Sequence, residues 1–163
     1  MDQHHRVREQ IVGLLQGGNA HLPISEAVAD FPPALINTRP PHVDYTFWHL
    51  IEHLRITQRD ILTYLTDPEY TEPAWPRDYW PAADAEASAD EWAASITAFE
   101  QDLAAIVAIV ADEQNDLLMP VPSSPEHTLV REALIVADHN AYHIGELAIL
   151  RQVCAAWGPD HQT

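Results

Sequence analysis

At 163 residues, 47% hydrophobic and with a formal net charge of -17, the chain has the length of one domain with a good core and too little for two ordinary ones. The charge favours solubility through self-repulsion and opposes binding to phosphate backbones or anionic lipid, so neither nucleic acid nor a membrane is an expected partner. A single cysteine, Cys154, excludes an intramolecular disulfide and a Cys-based zinc cage.

The first segment, MDQHHRVREQIVGLL, lacks the charged n-region, long apolar core and small-residue cleavage site of a secretory signal. No apolar stretch approaches the roughly 18 to 20 residues of a bilayer span. The expectation is one soluble, cytoplasmic domain over residues 1–163. Helical spacing of Val7, Ile11, Leu14 and Leu15 predicts a first helix from about Asp2 to Gln16, stopped by Gly17 and Gly18. His4 and His5 lie at a chain end, where residues are usually disordered, and are not expected to be ligands. Pro23, Pro32, Pro33, Pro40 and Pro41 forbid a long helix between Asn19 and Pro41. That stretch reads as a connection wrapped over the protein, with room for a short helix over Ser25 to Asp30.

Val43, Phe47, Leu50, Ile51, Leu54, Ile61, Leu62 and Leu65 predict a second helix from about Val43 to Leu65. A linker follows with Pro68, Pro73, Pro76 and Pro81. It keeps Trp75, Tyr79 and Trp80, the mark of a segment packed as cover for the core, and it is a plausible pocket wall. Ser88 and Glu91 form a capping-box pattern ahead of Trp92, Ile96, Phe99, Leu103, Val107 and Val110, which repeat at three and four residues in a third helix. Pro120, Pro122 and Pro125 break the chain before Thr128, the expected cap of a fourth helix reaching about Trp157, with Gly158 as its stop. Cys154, in the apolar run LAILRQVCAAW, reads as a small buried residue. No strand alternation is evident, so the expected fold is all-α: a four-helix bundle with long Pro-rich connections.

Four of the ten histidines form two i, i+4 pairs, His49/His53 on the second helix and His139/His143 on the fourth. That spacing puts two imidazoles on one helix face, and helix-bundle metal sites draw ligands from facing helices. With His53 at 0° on a helical wheel, the apolar set falls at roughly 60° to 180° and His49 at about -40°, so His53 borders the core and His49 points outward. On the fourth helix, with His139 at 0°, His143 sits at about 40° and Glu146 at about -20°, all bordering the buried face. Glu146 can then reach an ion or orient a ligand from behind it. His21, His42, His127 and His161 lie in loops or at the chain end and read as non-ligands. Glu52, Arg55 and Asp60 read as solvated helix charges. No Gly-x-Ser-x-Gly turn or Gly-rich phosphate loop is present.

The segments FWHLIEHLRITQRDIL, WPRDYWP and VADHNAYHIGELAILRQ together resemble the DinB-like (DinB/YfiT-like) superfamily. The resemblance implies a four-helix bundle, a homodimer, and one divalent ion held by a histidine of the second helix and two from an HxxxH on a later one. His53, His139 and His143 match those positions. The chain departs from the family in carrying Glu146 where a glutamine is common and His49 where no ligand is usual, so either residue is an additional candidate ligand or a tuning group. Three imidazoles leave an ion at least one open position, which suits catalysis. Zinc and nickel are favoured, with iron a further choice. The resemblance favours an enzyme acting on a small molecule, with thiol S-transfer and a low-molecular-weight thiol substrate ahead of hydrolysis. A non-catalytic, stress-response role for the metal is the remaining alternative.

Overall fold

The computed structural model of the chain describes residues 3–158, so Asp2, expected to open the first helix, and His161 lie outside the described residues. Among those residues the structure is mostly helical. Helix α1 spans Gln3–Gln16 and ends where Gly17 and Gly18 take positive φ of 74° and 78°, a conformation that costs glycine little. The Pro-rich connection holds a short α2, Ile24–Ala27, and a 3-10 turn at Pro33–Leu35. Its Ile24, Ala27, Phe31 and Ile36 are buried, so this connection is a wall of the core. Helix α3 covers Phe47–Thr66, four residues shorter at its start than the apolar spacing predicts. Thr46 caps it, leaving Val43 and Tyr45 in the approach, where both still pack against the core. Helix α4, Ala89–Ala111, starts on the Ser88/Glu91 capping box, and α5 runs over Leu129–Val153 from the Thr128 cap.

Three expectations need correction. The break before α5 holds a two-stranded antiparallel hairpin, β1 at Pro120–Val121 and β2 at Ser124–Thr128; its strands are too short and proline-rich to show alternation. The fourth long helix stops at Val153, short of Trp157, because Ala155 turns to φ 50° and Arg151 draws the chain back. The guanidinium of Arg151 is fully buried and donates to the carbonyls of Ala27, Ala29 and Ala156, while stacking 3.7 Å from the Trp157 ring. Lastly, α4 is long and apolar enough, by length and composition alone, to cross a membrane. Much of that apolarity is alanine. Its inner face carries Trp92, Phe99, Ile106 and Val110, and Asp102 on that face is buried in an ion pair with Arg59 of α3 at 2.6 Å.

Helix α4 packs on α3 and α1, and α5 packs on α3 and α1 in turn. The buried side chains form two apolar clusters. One gathers Phe47, Leu50, Ile51 and Leu54 of α3 with Ile144, Leu147 and Leu150 of α5. The other gathers Ile11 and Leu15 of α1, Ile106 and Val110 of α4, and Leu129, Ala133 and Val136 of α5. A polar belt separates them. In it Asn140 donates to Gln58 Oε1 at 2.8 Å, and Gln58 donates to the carbonyl of Phe99 at 2.5 Å. Buried polar groups need such partners, and here they pin α3, α4 and α5 at the level where the histidines project.

Candidate metal centre

Helix α3 carries two histidines, both buried, and uses them differently. His49 occupies the third helical position after the Thr46 cap, where a capping box normally has glutamate or glutamine. Its Nδ1 accepts from the backbone N–H of Thr46 at 3.0 Å, and its Nε2 donates to the carbonyl of Ala82 at 3.0 Å. The wheel reading that His49 points outward is therefore wrong. The residue is buried because the 67–88 linker closes over that side of α3. With both ring nitrogens bonded to backbone, it presents no lone pair to an ion.

One turn on, His53 is 2% exposed. Its Nδ1 donates to the carbonyl of Tyr79 at 2.7 Å, and the Trp80 indole stacks on the ring at 3.9 Å with only 6° between planes. The linker thus fixes both the tautomer and the plane of His53, leaving Nε2 as the acceptor. Opposite it, His139 of α5 sets Nε2 3.2 Å from His53 Nε2. His143, one turn further, has Nδ1 2.7 Å from Glu146 Oε2, and Tyr45 donates to the other oxygen of that carboxylate. His53, His139 and His143 each offer one ring nitrogen, and these three atoms lie within 4.8 Å of one another.

The donor set fits a divalent ion. Two nitrogens each about 2.05 Å from one ion at the tetrahedral angle stand about 3.3 Å apart, close to the observed His53 to His139 spacing. His53 and His143 each have the outer nitrogen held by an oxygen, the arrangement that orients ligating imidazoles. Ligation also needs the neutral ring. Burial lowers the pKa of His53 from 6.5 to about 4, the Tyr79 carbonyl opposing the shift. Burial, followed by the neighbouring His143 and His53, lowers His139 to about 3. The Glu146 carboxyl, which burial alone would raise, is held below its usual range by the bonds from His143 and Tyr45.

Of the remaining candidates, Trp75 is exposed and does not cover the core; Tyr79 is buried and Trp80 half-buried, and these two wall the histidines. Glu52, Arg55 and Asp60 are not merely solvated. Glu52 holds Arg55 and accepts from Ser95 of α4 at 2.7 Å, and Asp60 accepts from Tyr70 at 2.8 Å and Tyr79 at 2.9 Å. His4 and His5 are ordered in α1, with His5 3.1 Å from Glu113 and 3.3 Å from Glu9. His21 bonds its neighbour's carbonyl, His42 sits in a left-handed turn at φ 67°, and His127 meets the Tyr64 hydroxyl at 2.6 Å. Cys154 is half-buried at the C-terminal cap of α5, packed against the core. Sequence reasoning missed Tyr45. Its position just before the Thr46 cap leaves it out of the helix and free to reach across to α5.

The sequence model of the DinB superfamily matches residues 24–147, which span α2 to α5 and contain all three clustered histidines. No curated protein and no solved structure matches the chain. The chain belongs to the DinB superfamily.

Proposed function

We propose that the chain is a metal-dependent enzyme acting on a small molecule, in which His53, His139 and His143 hold one divalent ion, zinc or nickel ahead of iron. The observation that carries this reading is the convergence of the three ring nitrogens within 4.8 Å, with the outer nitrogens of His53 and His143 already bonded. Glu146 acts from behind His143, and Tyr45 from behind Glu146. A divalent ion there supplies Lewis acidity, able to acidify a thiol or a water. The protein's own contribution is to keep His53 and His139 neutral by burial, aim the rings of His53 and His143 with backbone and carboxylate oxygens, and shield one side with Trp80. Thiol S-transfer is the favoured reaction and hydrolysis the alternative; both use an open position on a three-imidazole ion.

The four long helices, α1, α3, α4 and α5, are then the bundle of the family, joined by its Pro-rich connections. A homodimer is supported by an apolar stripe on the outer face of α5, where Ile135, Tyr142, Ile149 and Val153 are exposed. They fall within roughly 40° on a helical wheel, and the Tyr142 ring lies 4.8 Å from that of His143. A purely structural ion, tying α3 to α5, is a second reading favoured by the origin of the ligands on those two helices.

Replacing His139 and His143 with alanine should abolish bound metal in a folded protein, and full metal retention would overturn the ligand assignment. Metal-dependent turnover of a low-molecular-weight thiol with an electrophile is the expected activity. A large drop in melting temperature on chelation, with no turnover of thiols or hydrolysable substrates, would favour the structural ion.

A further inference from the structure

Along the same groove between α3 and α5, seven residues beyond His53 and seven before His139, lies a cavity of about 210 Å³ beside Asp60 and Glu132. At 1.5 Å rise per residue this is roughly 10 Å from the histidines on either helix. Tyr79 joins the two places, its carbonyl holding His53 and its hydroxyl Asp60. The exposed Glu72 and Arg131 also line the cavity, which places its mouth at the surface.

The lining is a set of acceptors. The hydroxyl protons of Tyr70 and Tyr79 are committed to the two oxygens of Asp60, so each phenol oxygen has only lone pairs left to offer. Burial, and then the bond to Asp60, raises both hydroxyl pKa values, that of Tyr79 to about 12, so these protons stay in place at neutral pH. Glu132 has a side chain only 4% exposed. Its Oε1 takes Arg131, with His127 3.8 Å away, and its Oε2 has no hydrogen-bond partner among the described residues. This oxygen keeps solvent access, so it is free to accept from a donor that enters the cavity. The carboxylates of Asp60, Glu72 and Glu132 outnumber the one cation, Arg131, which is already paired. An anion is thereby disfavoured. A metal ion is a poor occupant too, since the histidine cluster is the single group of three ligating residues among those described. The Tyr64 and Tyr70 rings, edge to face at 4.9 Å, add aromatic surface suited to a cation.

We propose that this cavity is a binding subsite for a primary ammonium group. Three N–H donors match the phenol oxygens and Glu132 Oε2, a match that a quaternary ammonium lacks. The subsite stands on its own geometry. Its consequence for substrate choice rests on the metal reading: a substrate spanning both places carries its ammonium roughly 10 Å from its reacting end.

The test is a titration of full-length protein, both chelator-treated and zinc-loaded, with n-butylammonium, followed by calorimetry and by tyrosine ring NMR signals. Butyrate, 1-butanol and tetramethylammonium serve as comparison probes. Butylammonium should saturate one site in both preparations, more tightly than any comparison probe. Glu132→Gln should weaken it roughly tenfold or more, the size expected for a lost bond to a charged group. Tyr70→Phe should weaken it less, and it supplies the variant result should Glu132→Gln fail to fold. Absence of saturable butylammonium binding, equal or tighter binding of butyrate or tetramethylammonium, or unchanged affinity in the folded variants would overturn the subsite. Metal content measured on the same samples reports separately on the histidine centre, so either can fail alone.

Discussion

The histidine cluster and the tyrosine-carboxylate cavity share one groove between α3 and α5, yet they are built in opposite ways. In the cluster the groups facing inward are imidazoles, two of them, His53 and His139, held neutral by burial, and the charged partner, Glu146, stands behind His143. In the cavity the charges of Asp60 and Glu132 are at the front, and tyrosine protons are spent holding one of them. The first arrangement leaves lone pairs that a metal ion can use. The second leaves acceptors that ask for N–H donors. The difference shows how Tyr79, one residue of the linker, can serve two chemistries with its carbonyl and its hydroxyl.

If that contrast is right, acid should act first on the cluster. The folded pKa values of His53 and His139 lie below the ordinary 6.5, so below pH 6.5 the unfolded chain takes up protons that the folded chain refuses. Stability of metal-free protein is then complete above pH 6.5 and falls as pH drops toward about 4. The loss by pH 4 is on the order of 3 kcal/mol for either histidine alone. Urea denaturation of chelated protein across that range reads it, and a flat profile would mean the rings are not held neutral by burial.

Glu146→Gln keeps a hydrogen-bonding group behind His143 but removes the charge. Metal affinity should fall about 10- to 100-fold, the usual cost of losing a carboxylate behind a ligating histidine, as read by competition with a chelating dye. Asp60→Asn should leave metal affinity unchanged and lower stability by about 1–3 kcal/mol, since one tyrosine proton then faces an amide donor. A large loss of metal with Asp60→Asn would show that the two regions are not separate. The smallest effect belongs to the start of α3, where Thr46→Ala should cost about 1 kcal/mol of stability in thermal melts with Nε2 of His53 still in place.

Much of this was legible along the chain because helices repeat. The spacing of Trp92, Phe99, Ile106 and Val110 marks α4, and the i, i+4 spacing of His139 and His143 puts both on one face before any neighbour is known. Helical phase also separated His53 from His49, though for an incomplete reason. His49 bonds the Thr46 backbone and the Ala82 carbonyl instead, and its apparent outward side is covered by a linker that no wheel contains. Tyr45, Arg151 and the Asp60 contacts were not legible for the same cause. Each depends on a segment of irregular backbone meeting a helix far away in sequence, as when Tyr45 reaches Glu146 or Arg151 reaches Ala27. The hairpin over 120–128 was hidden by prolines that read as interruptions.

The central claim is that three histidines of α3 and α5 share one ion. Elemental analysis of untagged protein, beside the His53→Ala variant purified in parallel, tests it most directly. One equivalent of zinc, nickel or iron per chain in the parent protein and none in the folded variant is the predicted result. Metal at one equivalent in both, or in neither after incubation with each ion, would contradict it.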